Sequence, residues 1–99
     1  MWIYSDKDSG KNRPCVVVGN SNEVKDVDMV VAKMTTHEVR DKFDFNIENW
    51  KEIGLIKPSI VRCSKLFTIK AIHLKFRVAK IEGEDLETIK KTIAEYILE

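Results

Sequence analysis

Arg13-Pro14-Cys15-Val16-Val17-Val18-Gly19 is a short apolar run, entered through a proline and left through the turn formers Gly19-Asn20-Ser21-Asn22. Valine is stiff at χ1 and packs well on a pleated surface, so the run predicts a strand. Residues 27–36 (VDMVVAKMTT) have the same character and predict a second. Residues 59–64, 66–71 and 73–81, rich in Ile, Val, Phe and Thr, predict three more. Around Trp50, residues 46–52 read as a short helical turn that stops near Gly54.

The last segment follows a different period. Leu86, Ile89, Ile93 and Tyr96/Ile97 recur at three- and four-residue steps, which is one apolar face of a helix over 84–98. Gly83 can open it, and Glu84, Asp85 and Glu87 suit the positive end of its dipole. Short strands followed by one amphipathic helix predict an α+β, mostly β fold. The expected form is a small twisted sheet or partly open barrel with the helix packed across it.

All 99 residues are expected to form one domain, and 43% hydrophobic content is enough for a core without staples. No apolar run approaches the roughly 18 residues a membrane span needs. Met1-Trp2-Ile3-Tyr4 lacks the basic start and apolar middle of a signal peptide, which predicts a cytoplasmic protein. Cys15 and Cys63 lie inside apolar runs and read as reduced core residues. Adding His37 and His73 gives no metal-ligand spacing, so neither metal nor cofactor is expected.

The charge is balanced overall (Lys+Arg 17, Asp+Glu 16) but not evenly distributed. From Ile53 to Ile81 there is no acidic residue, while Lys57, Arg62, Lys65, Lys70, Lys75, Arg77 and Lys80 all fall there. If the three strands of this stretch are neighbours, they make a basic sheet face, with His73, Lys75 and Arg77 alternating onto one side. Such a face can neutralise phosphates. The alternative is a solvated basic surface with no ligand.

Three segments together resemble the MazF/PemK toxins of type II toxin–antitoxin systems. Lys11-Asn12-Arg13-Pro14-Cys15-Val16-Val17-Val18 is similar to the family's "RP plus apolar strand". Val30-Val31-Ala32-Lys33-Met34-Thr35 looks like its third strand, which ends in a functional threonine. Lys57-Pro58-Ser59-Ile60-Val61-Arg62-Cys63-Ser64-Lys65-Leu66-Phe67-Thr68-Ile69 resembles the PemK-type segment S-x-V-R-C-D-Q-x-R-T-I-D. The resemblance implies the MazF/PemK/CcdB type of sheet and a homodimer. It also implies ribosome-independent, metal-independent cleavage of single-stranded RNA at short sequences. It implies a cognate antitoxin as partner, DNA being met only through that antitoxin, and no membrane. By matching position, Arg13 and Thr35 are the implied active-site residues.

The chain also departs from the pattern. Ser64, Lys65, Phe67 and Lys70 stand where PemK-type toxins carry acidic, amide, arginine and aspartate residues. The Arg/Asp pair used by some members is therefore absent, and the first strand, at Trp2, is expected to be short. Two further possibilities follow: a relative that binds RNA or antitoxin without cutting, and a CcdB-like gyrase poison. The latter acts through C-terminal residues around a terminal tryptophan, and this chain ends Tyr96-Ile97-Leu98-Glu99.

Metal-free RNA cleavage uses the ribose 2′-hydroxyl as nucleophile. It needs a proton acceptor, a proton donor for the leaving oxygen, and a cation on the developing phosphorane charge. Arg13 suits the last role, because guanidinium is a planar donor fork that stays charged. If the strand through Thr35 continues, Lys33, Thr35 and His37 share a face and add a cation, a hydroxyl and an imidazole. Asp8, five residues before Arg13, is a candidate base. The RNA-binding candidates are Lys7, Lys11, Lys33, Arg62, Lys65, Lys70, Lys75 and Arg77. Each has a plainer alternative: Arg13 a surface residue at a strand entrance, Thr35 a strand-end residue, His37 an exposed loop histidine. Trp2, Trp50 and Phe67 read as core or dimer-interface residues rather than base-stacking platforms.

Overall fold

The valine-rich run does form a strand. In the computed structural model, which describes residues 1–5, 10–19 and 28–99, it is the heart of β2 (Asn12–Gly19). Before it comes β1 (Trp2–Ser5); after it come β3 (Asp28–Thr35), β4 (Asp44–Asn46), β5 (Ile60–Lys70), β6 (Leu74–Arg77) and α1 (Glu84–Leu98). The strands form one antiparallel sheet in the order β4-β5-β3-β2-β1-β6. Lys7 and Asp8 lie outside the described residues, as do Val27 and the expected turn at Asn20–Asn22.

Sequence and structure differ at three places. The strands expected over 59–64 and 66–71 are a single strand, β5. Ser64 and Lys65 interrupt the apolar pattern without ending the strand. They sit in a bulge, where Arg62 pairs with Lys33 but Leu66 already pairs with Ala32. The strand expected over 73–81 is only Leu74–Arg77, because Ala71–His73 is a 3₁₀ turn. Beyond it the chain leaves the ladder, with the Val78 N–H donating to the Met1 carbonyl at 3.0 Å. β4 was not expected: three residues carry no readable period. The turn expected near Trp50 is present as a run of hydrogen-bonded turns, with the Ile53 N–H donating to the Asn49 carbonyl at 3.1 Å and the Leu55 N–H to the Trp50 carbonyl at 2.9 Å. Gly54, at φ +99°, allows the reversal.

The helix begins and ends where its periodicity predicts. Gly83 precedes it at φ +66°, and Glu84, Asp85 and Glu87 occupy its first turn. Ile89 and Ile93 are its buried residues. They pack with Val16, Ala32, Met34, Val61 and Cys63, which come from one face of β2, β3 and β5. Fully burying a side chain such as Ile89 contributes about 1.5–3 kcal/mol, so this contact holds helix to sheet.

The opposite face is concave. Tyr4 of β1 and Phe67 of β5 touch, with ring centroids 5.4 Å apart, although β2 and β3 lie between their strands. A flat sheet could not bring them together. Cys15 and Val31 are fully buried on this side, and the sheet curls over them into a partly open barrel.

Candidate nucleic-acid interface

The strand register builds the interface on the concave side. One row of paired residues crosses all six strands: Arg77, Trp2, Cys15, Lys33, Arg62 and Asp44. Side chains in one row share a face, so Arg77, Lys33 and Arg62 are brought together by topology. In the next row Tyr4 pairs with Arg13, while Thr35 pairs with Ile60 and Ile60 with Asn46. Continuing the β2–β3 register two residues past the Cys15–Lys33 pair brings Arg13 level with Thr35. Arg13 and Lys33 are exposed and Thr35 is half-buried.

β3 ends at Thr35, so strand alternation does not carry His37 onto the Lys33 face as expected. Instead the chain bends back, and the His37 N–H donates to Thr35 Oγ1 at 3.3 Å. His37 is exposed and lines a cavity of about 220 Å³ with Thr36, Asn46, Pro58 and Ser59. A larger cavity, about 500 Å³, opens on the other side of Thr36 and is walled by Pro14, Met34, Thr35, Leu55, Lys57 and Ser59. Thr36 and Ser59 belong to both walls. The two cavities offer hydroxyls, the His37 imidazole and the Lys57 ammonium; Arg13 and Lys33 line neither.

The remaining cations divide. Arg62, expected to bind RNA, is ion-paired through its guanidinium with Asp44, and the two side chains are 9% and 0% exposed. The acid-free stretch is not one contiguous face, because β5 and β6 are separated in the sheet by β3, β2 and β1. Lys65 is exposed at the β5 bulge, and Lys75 is exposed at an irregularity in β6, where Ile3 pairs with Phe76 but Tyr4 with Leu74. Lys70 stands opposite Asp28 at the far end of β5, in the row set after Thr68 and Leu66, away from Lys33. His73 lies in the 3₁₀ turn rather than on β6 beside Lys75 and Arg77. Lys11 is exposed just before β2. Trp50 packs against the core and Phe67 against Tyr4.

The cysteine thiols are poor nucleophiles here. Burial pushes Cys15 up to about 11 and, with help from the nearby Asp44 charge, Cys63 up to about 11. Among the described residues no group of three or more His, Cys, Asp or Glu is placed to hold a metal. None of the described helices is long and apolar enough to cross a membrane. Asp44 and Ser59 were missed from the sequence. Asp44 lies 18 positions from its partner, and only the β4–β5 register reveals the pairing.

The profile of the PemK-like, MazF-like toxins of type II toxin–antitoxin systems matches residues 2–97. No curated protein sequence matches. The Mycobacterium tuberculosis toxin MazF-mt6 superposes with a TM-score of 0.76 at 19% identity, over 98% of this chain and 96% of that one. Another solved structure, described as that of an Mtb toxin, gives 0.68 at 19% identity, over 85% and 91%. An endoribonuclease from a mycobacterial species, solved in complex with its cognate antitoxin, gives 0.77 at 14% identity, over 97% and 90%. At these identities the superpositions speak for the fold.

Proposed function

The chain belongs to the PemK-like, MazF-like family of type II toxin–antitoxin toxins, and from that premise we propose that it is a metal-independent endoribonuclease acting on single-stranded RNA. The observation that carries the proposal is the meeting of Arg13, Lys33 and Thr35 at one end of the concave face, beside the Thr36–His37 turn. In the reaction the ribose 2′-oxygen attacks phosphorus, the new O–P bond closes a cyclic phosphate, and the bond to the 5′-oxygen breaks. One group takes the 2′-hydroxyl proton and another supplies a proton to the leaving oxygen. Arg13 holds the charge that builds on the phosphorane oxygens, where a preorganised cation is worth most. Thr35 orients the phosphate, His37 stands ready for proton transfer, and Asp8 is a second candidate base. Lys33 and Arg77, three strand spacings apart on one row, track the backbone on either side, with Lys7, Lys11, Lys65 and Lys75 as outlying contacts.

We further propose that the 99 residues act as one domain, as a homodimer in the cytoplasm, silenced by a cognate antitoxin. The test is incubation of purified protein with a long single-stranded RNA in EDTA. Discrete fragments ending in cyclic phosphate are expected. Intact RNA at protein concentrations that bind it would leave a binding protein without nuclease activity.

A further inference from the structure

Burying a carboxylate is costly unless its oxygens are satisfied. Asp44 buries one completely, at the first residue of a three-residue edge strand. Its Oδ2 accepts from Arg62 Nη1 and from the Arg40 backbone N–H, the latter at 2.8 Å. Its Oδ1 is buried too, and finds no partner among the described residues. Stability is a weak reason for such an arrangement, since a buried ion pair is often no better than apolar residues of the same volume. What the pair does accomplish is geometric.

Residues 36–43 connect β3 to β4, and Asp44 ties down their far end. Besides holding the Arg40 N–H, it donates its own N–H to the Asp41 carbonyl at 3.2 Å, while Asp41 Oδ1 accepts from the Phe43 N–H at 2.9 Å. The near end is held by the His37 N–H on Thr35 Oγ1. From outside, α1 braces the same loop: Phe43 packs edge-on against Tyr96 at 5.2 Å, and Lys42 pairs with Glu99 at 3.1 Å. Arg62, the anchor of all this, stands in register between Asp44 and Lys33. The loop that presents Thr36 and His37 is thus referenced, through one buried pair, to the strand beside Lys33.

We infer that the Asp44–Arg62 pair is a positioning device: it fixes the 36–43 loop so that Thr36 and His37 stand at a set place relative to Thr35 and Lys33. It touches no RNA itself. The inference rests on the assignment of the Thr35–His37 region as the reaction site, and one set of measurements separates the two. Asp44→Asn keeps the shape and an acceptor for the Arg40 N–H but removes the charge opposite Arg62. In the full chain without RNA, amide exchange across residues 36–43 should speed by roughly tenfold or more, while α1 amides stay protected. On single-stranded RNA, kcat should fall by up to about 10²-fold with KM little changed, as a misplacement on the order of 1 Å does. Ile89→Val, which trims the core without touching the loop, should leave both readings as in wild type. If Asp44→Asn does not fold, Arg62→Lys, which keeps the charge and loses the fork, should show the same pattern with a smaller loss. Unchanged loop exchange, or a loosened loop with full kcat, would overturn the inference. A wild type that leaves RNA intact would instead overturn the nuclease assignment.

Discussion

The two faces of the sheet use the same strands for opposite purposes. On the helix side Val16, Ala32, Met34, Val61 and Cys63 close on Ile89 and Ile93 in one apolar cluster. On the concave side Cys15 and Val31 are fully buried and Tyr4 meets Phe67, while of the row through Lys33 only Lys33 and Arg77 are exposed. Alternation along a strand makes this possible, since successive side chains serve different faces. Neighbours in sequence such as Met34 and Thr35 should therefore report on different properties, stability for one and chemistry for the other.

The largest expected effect tests the helix side. Ile89→Ala should cost about 2–5 kcal/mol in urea unfolding, because it removes buried methyl groups and leaves a cavity. Cleavage per folded molecule should stay at the wild-type rate. A folded Ile89→Ala variant with lost cleavage would mean that the faces are not separate.

The concave side should respond through salt. RNA affinity is expected to fall with ionic strength at a log–log slope of about −0.7 per neutralised phosphate. Replacing Lys33 and Arg77 together by Ala should flatten the slope by about 1.4 on the same basis. Arg62→Met should leave the slope unchanged, since that guanidinium already belongs to Asp44. A flatter slope in Arg62→Met would return Arg62 to the RNA surface.

The smallest effect concerns the thiols, one on each face. Cys63 packs in the helix-side core and Cys15 lies under the concave one. Both are raised from an ordinary value of 9.0 to about 11, so the folded state holds their protons more tightly than the unfolded state. Their contribution is present in full below pH 9.0 and is lost as pH climbs toward 11. Native protein at pH 8 should react slowly with a thiol reagent at both positions, and urea should release both together. Fast labelling of Cys15 alone would show that the concave face opens without global unfolding.

How much was legible followed from how local each cause is. The helix was read to its ends because its signal, Leu86-Ile89-Ile93 with acids in the first turn, lies within the segment. β2 and β3 were read from their own β-branched runs. β5 was split in two because Ser64-Lys65 breaks the apolar pattern, whereas the backbone absorbs the break as a bulge. β4 and the burial of Arg62 were illegible for one shared reason: each depends on a partner supplied by a distant strand. The same held at the site. Arg13, Lys33 and Thr35 were found by residue type and family resemblance, but their alignment on facing rows came only from the register. Asp44, which we infer positions the loop that follows Thr35, carried no local mark at all.

The central claim is that Arg13 stabilises transition-state charge at a site the fold does not need for its stability. It is tested most directly by cleavage of one single-stranded RNA in EDTA by wild type, Arg13→Ala and Arg13→Lys, with melting curves for all three. Arg13 is exposed at a strand end, so the three melting curves should agree to within about 0.5 kcal/mol. Arg13→Ala should cleave slower by a factor on the order of 10²–10³. Arg13→Lys should recover only part of that loss, because a point charge cannot reproduce the guanidinium fork. Equal cleavage by wild type and Arg13→Ala, with matched melting, would contradict the claim.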